Sequence, residues 1–386
     1  MAENSVLFQN ARVVLPGEIA LRDVRVTEGW ITAIEPHIQP MTNERTLALG
    51  GAYLMPGFID THMHGAAGCV YTNPEDDLNK ITAYEATRGV TTVTATIGAR
   101  PEGVFENGVK NVLAHIRRGT EGARIVGIHA EGPFLNPKRR GSMRAEDMRP
   151  PTVEAFRQLY DICEGELKLL SIAPEVPGAL DVVREAVRAG ISVSAGHTDA
   201  TFDEMRAGID AGISRMTHTF NASRPLNHRE PGVLGAALCD PRVTCEVICD
   251  FAHLHPSVVE MIYRAKGSGR FTAISDAAFC AGLPDGEYDI AGSRFIVGGG
   301  VARHPDGTIS GSAGDLLLAA QNLHSLGIPL WEIAEMTALN PAKALGIDHH
   351  TGSIAKGRTA DFVVLDENLT VCSTFVSGRC VYERAN

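Results

Sequence analysis

Between Pro56 and about Ile347 the chain alternates apolar runs with amphipathic stretches of ten or more residues, and this rhythm constrains its fold more than any other feature. The runs are "GVTTVTATI", "RIVGIHAEG", "ISVSAGH", "RMTHTF", "TCEVICD" and "FTAISDA". Intervening segments such as "DVVREAVRAG" and "TFDEMRAGIDAG" carry helical spacing closed by a glycine. Strand followed by helix, repeated, predicts an α/β fold with a parallel sheet closed into a (β/α)8 TIM-type barrel. Five runs place a polar residue near their C-terminal end: Glu131, His197, His218, Asp250 or His253, and Asp276. That is the rim where functional groups converge in such a barrel.

Short β-rich pieces broken by turn residues fill the first fifty-odd positions, and the tail from "GSIAKGRTADFVVLD" onward returns to the same texture. Both ends are therefore expected in one small β-sandwich domain, 1–56 with 349–386, attached to a barrel of 57–348.

"PGFIDTHMHGAAG" supplies the first barrel strand. Residues two apart on an extended backbone share a face, so His62 and His64 aim together. Small residues follow them and leave room for another group. Each polar residue alone has a structural explanation as a cap, an ion-pair partner or a satisfied core histidine. Together, imidazoles and carboxylates on successive strand ends form the nitrogen and oxygen donor set of a zinc-like ion.

The charge of −11 argues against a nucleic-acid or membrane-surface partner, which a basic footprint would recognise. There is no apolar stretch of membrane-spanning length and no secretory pattern at Met1–Ser5. The eight cysteines are scattered without a Cys-x-x-Cys unit, the pattern of reduced thiols in the cytoplasm. Neither "GSAGD" nor "VGGGV" has the spacing of a phosphate cradle, and no serine elbow or Cys/His pair competes for a catalytic role.

The sequence resembles the amidohydrolase superfamily and, within it, the N-acetylglucosamine-6-phosphate deacetylase family. The likeness runs over nearly the whole chain: "PGFIDTHMHG", "HAEGPFLNP", "SAGHTDA", "THTFNA", "HREPG", "ISDAAFCAGLPDGEY", "DGTISGS", "NPAKALGI" and "GSIAKGRTADFVVLD". The resemblance implies a metal-dependent hydrolase that removes the acetyl group from an N-acetyl amino sugar 6-phosphate. It implies that Glu131, His197 and His218 hold one divalent transition ion, that His62 and His64 can hold a second with Glu131 as bridge, and that Asp276 is the general base and acid. Zinc is the expected metal, with iron, manganese or cobalt as alternatives. Asn221 and Ala222 match contacts to the substrate phosphate, and His253 matches a substrate-binding histidine. Arg229, with His228 beside it, matches an arginine that enters the site from the second subunit of a homodimer.

Two positions depart from the family pattern. Met143 stands where members place a histidine after the basic loop, and Phe251 stands where they place the glycine of Asp-Gly-x-His. Both are expected to reshape the sugar pocket; Lys138, Arg139 and Arg140 read first as a solvated loop, with compensating anion contacts as the alternative. N-acetylgalactosamine 6-phosphate or another N-acyl amino sugar is the alternative substrate. A cyclic-amide hydrolase would bridge its metals with a lysine at a strand end, and the chain has none there; a metal-free scaffold would have shed ligands that this chain keeps.

Overall fold

The computed structural model describes residues 5–290 and 292–385. Eight parallel strands follow one another around a barrel: Phe58–Met63, Val90–Gly98, Arg124–Glu131, Leu167–Ile172, Ser192–Ala195, Arg215–Met216, Thr244–Ile248 and Phe271–Ile274. The ring closes just beyond the eighth strand, where Met63 bridges Ala277 and the Asp276 amide donates to the His62 carbonyl at 2.9 Å. Closure and the opening His-x-His are thus one piece of structure. The fourth strand, Leu167–Ile172, lies outside the expected series of ligand-bearing runs; it ends in Ala173-Pro174 and delivers no ligand.

The helices between strands form as their spacing predicts. Helix Ala179–Arg188 buries Val182, Val183 and Ala186 against the barrel, and Gly190 at φ +79° ends the turn after it. Helix Phe202–Ala211 starts with a Thr201/Glu204 capping box. Each fully buried Val, Leu or Ile on such a face contributes about 1.5–3 kcal/mol, so the ring of helices holds the strand ends in fixed register.

Both chain ends build one sheet. Phe362–Leu365 pairs antiparallel with Tyr53–Pro56, which pairs parallel with Ser5–Leu15. Its path runs on to Trp30–Glu35 at one end and Arg379–Glu383 at the other. The sheet folds face to face over Phe8, Phe362 and Phe375, whose rings meet edge-on at 5.4 and 5.0 Å. The two layers touch where Ala360 donates to the Gly29 carbonyl, and a Cβ at Gly29 would stand 2.7 Å from the Ser377 oxygen.

A third sheet, not foreseen from the sequence, follows the eighth strand. Gly286–Ile290, Ser293–Gly298, Val301–Arg303 and Ile309–Ser312 make four antiparallel strands beside the barrel mouth. Ile290, Phe295, His304 and Ile309 from this sheet line the cavity described next.

Candidate active site

A cavity of about 680 Å³ opens at the C-terminal rim of the barrel. At its floor stands Glu131, the last residue of the third strand, and the imidazoles close around it. Glu131 Oε1 lies 3.1 Å from His197 Nε2, 3.0 Å from His218 Nε2 and 3.3 Å from His62 Nε2. Glu131 Oε2 lies 3.4 Å from His64 Nε2. Asp276 Oδ1 faces the same pair of histidines from the eighth strand, 3.3 Å from His64 Nε2 and 3.6 Å from His62 Nε2. The six residues proposed from the sequence as ligands therefore meet at one point, although five elements separated by up to some two hundred positions carry them.

The backbone is strained where it delivers them. His197 (φ +48°), His218 (φ +26°) and Asp276 (φ +49°) adopt left-handed conformations that cost on the order of 1–3 kcal/mol each in a residue with a Cβ. The eight-stranded frame holds them there. Gly141, also at positive φ, lets the basic loop approach until a Cβ would stand 3.3 Å from His197 Cε1.

Two rings are oriented from behind. His197 donates Nδ1–H to the Arg139 carbonyl at 2.8 Å, and His62 donates Nδ1–H to Glu246 at 3.2 Å, so both present Nε2 to the cavity. His62 Nε2 is buried with no hydrogen-bond partner, and the Nε2 atoms of His197 and His218 face each other at 3.1 Å. Three imidazole nitrogens converging within about 3.3 Å of one carboxylate oxygen form a donor set that suits a cation. Burial opposes charge throughout the cluster, yet His62 and His197 beside Glu131 hold its carboxyl well below the usual range, and Glu131 in turn raises both imidazoles. Asp276, also buried, is drawn down to about 2 by the hydrogen-bonded His64 and by the other imidazoles around it. A divalent ion satisfies the same electrostatic demand, and two overlapping sets, His62–His64–Asp276 and His62–Glu131–His218, have ligand atoms close enough to share one. The residues fit a transition metal.

Further out, Asn221, Ala222 and His253 line the cavity, and Asn221 Nδ2 is a buried donor without a partner. His253 is held by Asp250, which accepts its Nδ1–H at 2.7 Å and the Ser312 hydroxyl at 2.8 Å. Asp250 is thus a support for His253 and stands apart from the metal-capable cluster. His228 and Arg229 are exposed and do not line this cavity; they contact each other at 2.8 Å.

The two departures separate. Met143 does line the cavity, wedged among Ala99, Leu135 and Met148. Phe251 does not: it sits at φ +61°, where the family's glycine would be unstrained, and packs against the barrel core. The expectation that it reshapes the sugar pocket is corrected, because its ring is taken up by core packing and is not among the cavity-lining residues. The basic loop takes its solvated reading, not the anion-contact one. Arg139 is committed to Asp199 at 2.8 Å with Lys138 near the same carboxylate, and no residue of this trio lines the cavity. Among the described residues lining the cavity there is no lysine to bridge metals.

Glu246 and Arg215 are site residues that sequence reading missed. Arg215 reaches Glu246 Oε1 with Nη2 at 2.9 Å, inside the barrel beneath the histidines. A charged residue in the middle of the apolar run "TCEVICD" was the available signal.

Residues 53–381 match the family model described as Amidohydrolase family. The chain is 35% identical over 380 residues to the N-acetylglucosamine-6-phosphate deacetylase of Vibrio furnissii, covering 97% of this chain and 95% of that one. It is 34% identical to the N-acetylgalactosamine-6-phosphate deacetylase of Escherichia coli O157:H7, over 96% and 97% of the two chains. Among solved structures it superposes on an aspartate-to-alanine variant of N-acetyl-D-glucosamine-6-phosphate deacetylase from Mycobacterium smegmatis in complex with N-acetyl-D-glucosamine-6-phosphate. That match has a TM-score of 0.90 and 33% identity over 98% and 99% of the chains.

Proposed function

The chain belongs to the amidohydrolase family, and from that premise we propose that it hydrolyses N-acetylglucosamine 6-phosphate to glucosamine 6-phosphate and acetate. The observation that carries this reading is the position of Asp276 Oδ1, 3.3 Å from His64 Nε2 at the floor of a cavity that the unpartnered Asn221 side-chain amide also lines. The carboxylate suits amide hydrolysis and the free amide donor suits an anion.

Glu131, His197 and His218 would hold one divalent transition ion, and His62 and His64 with Glu131 would hold a second. Zinc suits the imidazole-rich donor set, and iron, manganese or cobalt accept the same ligands. When bound, such an ion supplies a Lewis acid that polarises an amide carbonyl and lowers the pKa of water to about 7. Asp276 is ionised and aimed at the floor, so its carboxylate takes a proton from the water that adds to the acetyl carbon. It returns that proton to the sugar nitrogen as the C–N bond breaks, and acetate and the free amine leave. His253, locked by Asp250, holds a sugar oxygen, while Asn221 and the Ala222 backbone hold the phosphate.

Arg229 and His228 serve the cavity of a second copy of the chain in a homodimer. Their exposure in one protomer supports this arrangement. The free thiols of all eight cysteines support a reducing, cytoplasmic setting, and among the described residues no helix is long and apolar enough to cross a membrane.

A second substrate is favoured by one observation: Met143 puts an apolar wall where the family reads the sugar with an imidazole, so the galactosamine epimer fits the same chemistry. Acetate release from both epimers, each with and without the 6-phosphate, tests the proposal. The highest kcat/KM is expected on a 6-phosphorylated N-acetyl hexosamine. Equal rates on the unphosphorylated sugars would overturn the phosphate reading.

A further inference from the structure

Beneath the metal-capable cluster lies an ion pair that neither substrate nor solvent reaches. Glu246 stands mid-strand on Thr244–Ile248 and Arg215 on Arg215–Met216, with side chains 1% and 4% exposed. The two carboxylate oxygens are used differently. Oε1 takes both Nε and Nη2 of Arg215, at 3.2 and 2.9 Å, and Oε2 takes His62 Nδ1–H at 3.2 Å. His129 closes the other side of the His62 ring edge-on, 4.7 Å between centroids, and is itself tied to Ser171 Oγ at 2.9 Å. The Glu246 backbone carbonyl also receives Thr219 N at 2.8 Å, next to His218.

Stability is a poor reason for this arrangement. A buried ion pair seldom repays its desolvation, and well-packed apolar side chains of similar size are often neutral or stabilising in its place. What apolar side chains cannot do is accept a proton from Nδ1. With that proton held, the ring can turn only its Nε2 lone pair toward Glu131 and Asp276; with it released, the ring can rotate or carry its proton on the metal-facing nitrogen.

We infer that Glu246, fixed by Arg215, is a positioning residue that sets which nitrogen His62 offers, and so governs binding of the second divalent ion while leaving the first to Glu131, His197 and His218. This rests on the metal-site reading above but on no particular sugar. Outer groups that orient a metal-binding histidine typically change metal affinity about 10–100-fold.

The test is zinc binding without substrate, by calorimetry and by elemental analysis after dialysis at fixed free zinc. Wild type should bind two ions per chain. Glu246→Gln, whose amide can donate to Nδ1 and force the wrong tautomer, should keep the tight ion and weaken the other about 10–100-fold. The paired replacement Arg215→Met with Glu246→Leu should lose the same ion while the metal-free protein melts no lower than wild type, which separates positioning from stability. In zinc-loaded wild type with nitrogen-labelled histidine, His62 should carry its single proton on Nδ1. Two ions bound with undiminished affinity in either variant, equal loss of both ions, a single ion in wild type, or a proton on Nε2 would each overturn the inference. Zinc stoichiometry and affinity are measured without any sugar, so a protein inactive on every amino sugar would sink the substrate reading and leave this one standing or falling on its own.

Discussion

The amide of Asp276 donates to the carbonyl of His62 at 2.9 Å, so the bond that closes the barrel also joins the proposed proton-transfer group to the opening histidine pair. Replacing the Asp276 side chain leaves this backbone bond intact. Asp276→Asn is therefore expected to keep the fold and the Glu131–His197–His218 ion while losing about 10²–10⁴-fold in kcat, the usual worth of a positioned proton-transfer group. Steady-state kinetics with metal analysis of the same sample check it; a kcat near wild type would remove Asp276 from the mechanism.

Met143 and Phe251 make opposite predictions because one lines the cavity and the other packs inward. Met143→His should change the ratio of kcat/KM between the glucosamine and galactosamine substrates. Phe251→Gly should leave that ratio alone, with φ +61° relaxed at the expense of core packing. A ratio moved by Phe251→Gly and unmoved by Met143→His would reverse the assignment.

Much of this site was legible in the sequence because the residues proposed as its ligands fall at strand ends, where periodicity and position coincide. His62, Glu131, His197, His218 and Asp276 each terminate or follow an apolar run. Glu246 and Arg215 were hidden because they act from within two neighbouring strands and meet only once those strands pair, thirty-one positions apart in sequence. The fourth strand was missed for the converse reason: no residue proposed as a ligand lies on it, and its neighbour Glu175 braces the loops around it, accepting from Thr198 Oγ1 at 2.6 Å and from Asn136 Nδ2 at 2.9 Å. The side sheet 286–312 escaped because its half-exposed residues lack a clean alternation.

Arg229 carries a claim about assembly. In one protomer, among the described residues, its guanidinium meets its neighbour His228 and lies outside the cavity lining. Arg229→Ala should weaken substrate binding by about 2–5 kcal/mol, as when one partner of a buried charge pair is removed. In a mixed dimer of Arg229→Ala and Asp276→Asn chains, a shared site places both defects on one side and restores one intact site. No recovered activity in verified mixed dimers would place Arg229 in its own chain's chemistry or outside it.

Glu44 braces the small sheet at neutral pH and loses its hold in acid. Arg25 grips its carboxylate at 2.8 and 2.9 Å and holds its pKa at about 2 against an ordinary 4.5. Because the folded value is the lower one, the stabilisation is complete above pH 4.5 and is lost as pH falls through 2. Glu44→Gln should lower stability by about 1–2 kcal/mol at neutral pH, and the gap from wild type should close between pH 4.5 and 2. A gap of constant size in pH-dependent melting would show that the ion pair contributes nothing.

The central claim is that Glu131 and the imidazoles around it hold the ion on which hydrolysis depends. Titrating zinc into chelated, dialysed protein while following acetate release from N-acetylglucosamine 6-phosphate tests it most directly. Activity should be absent in the metal-free protein and rise to a plateau at one to two equivalents per chain, with Glu131→Gln flat throughout. Full turnover in protein shown by elemental analysis to be metal-free would contradict the account.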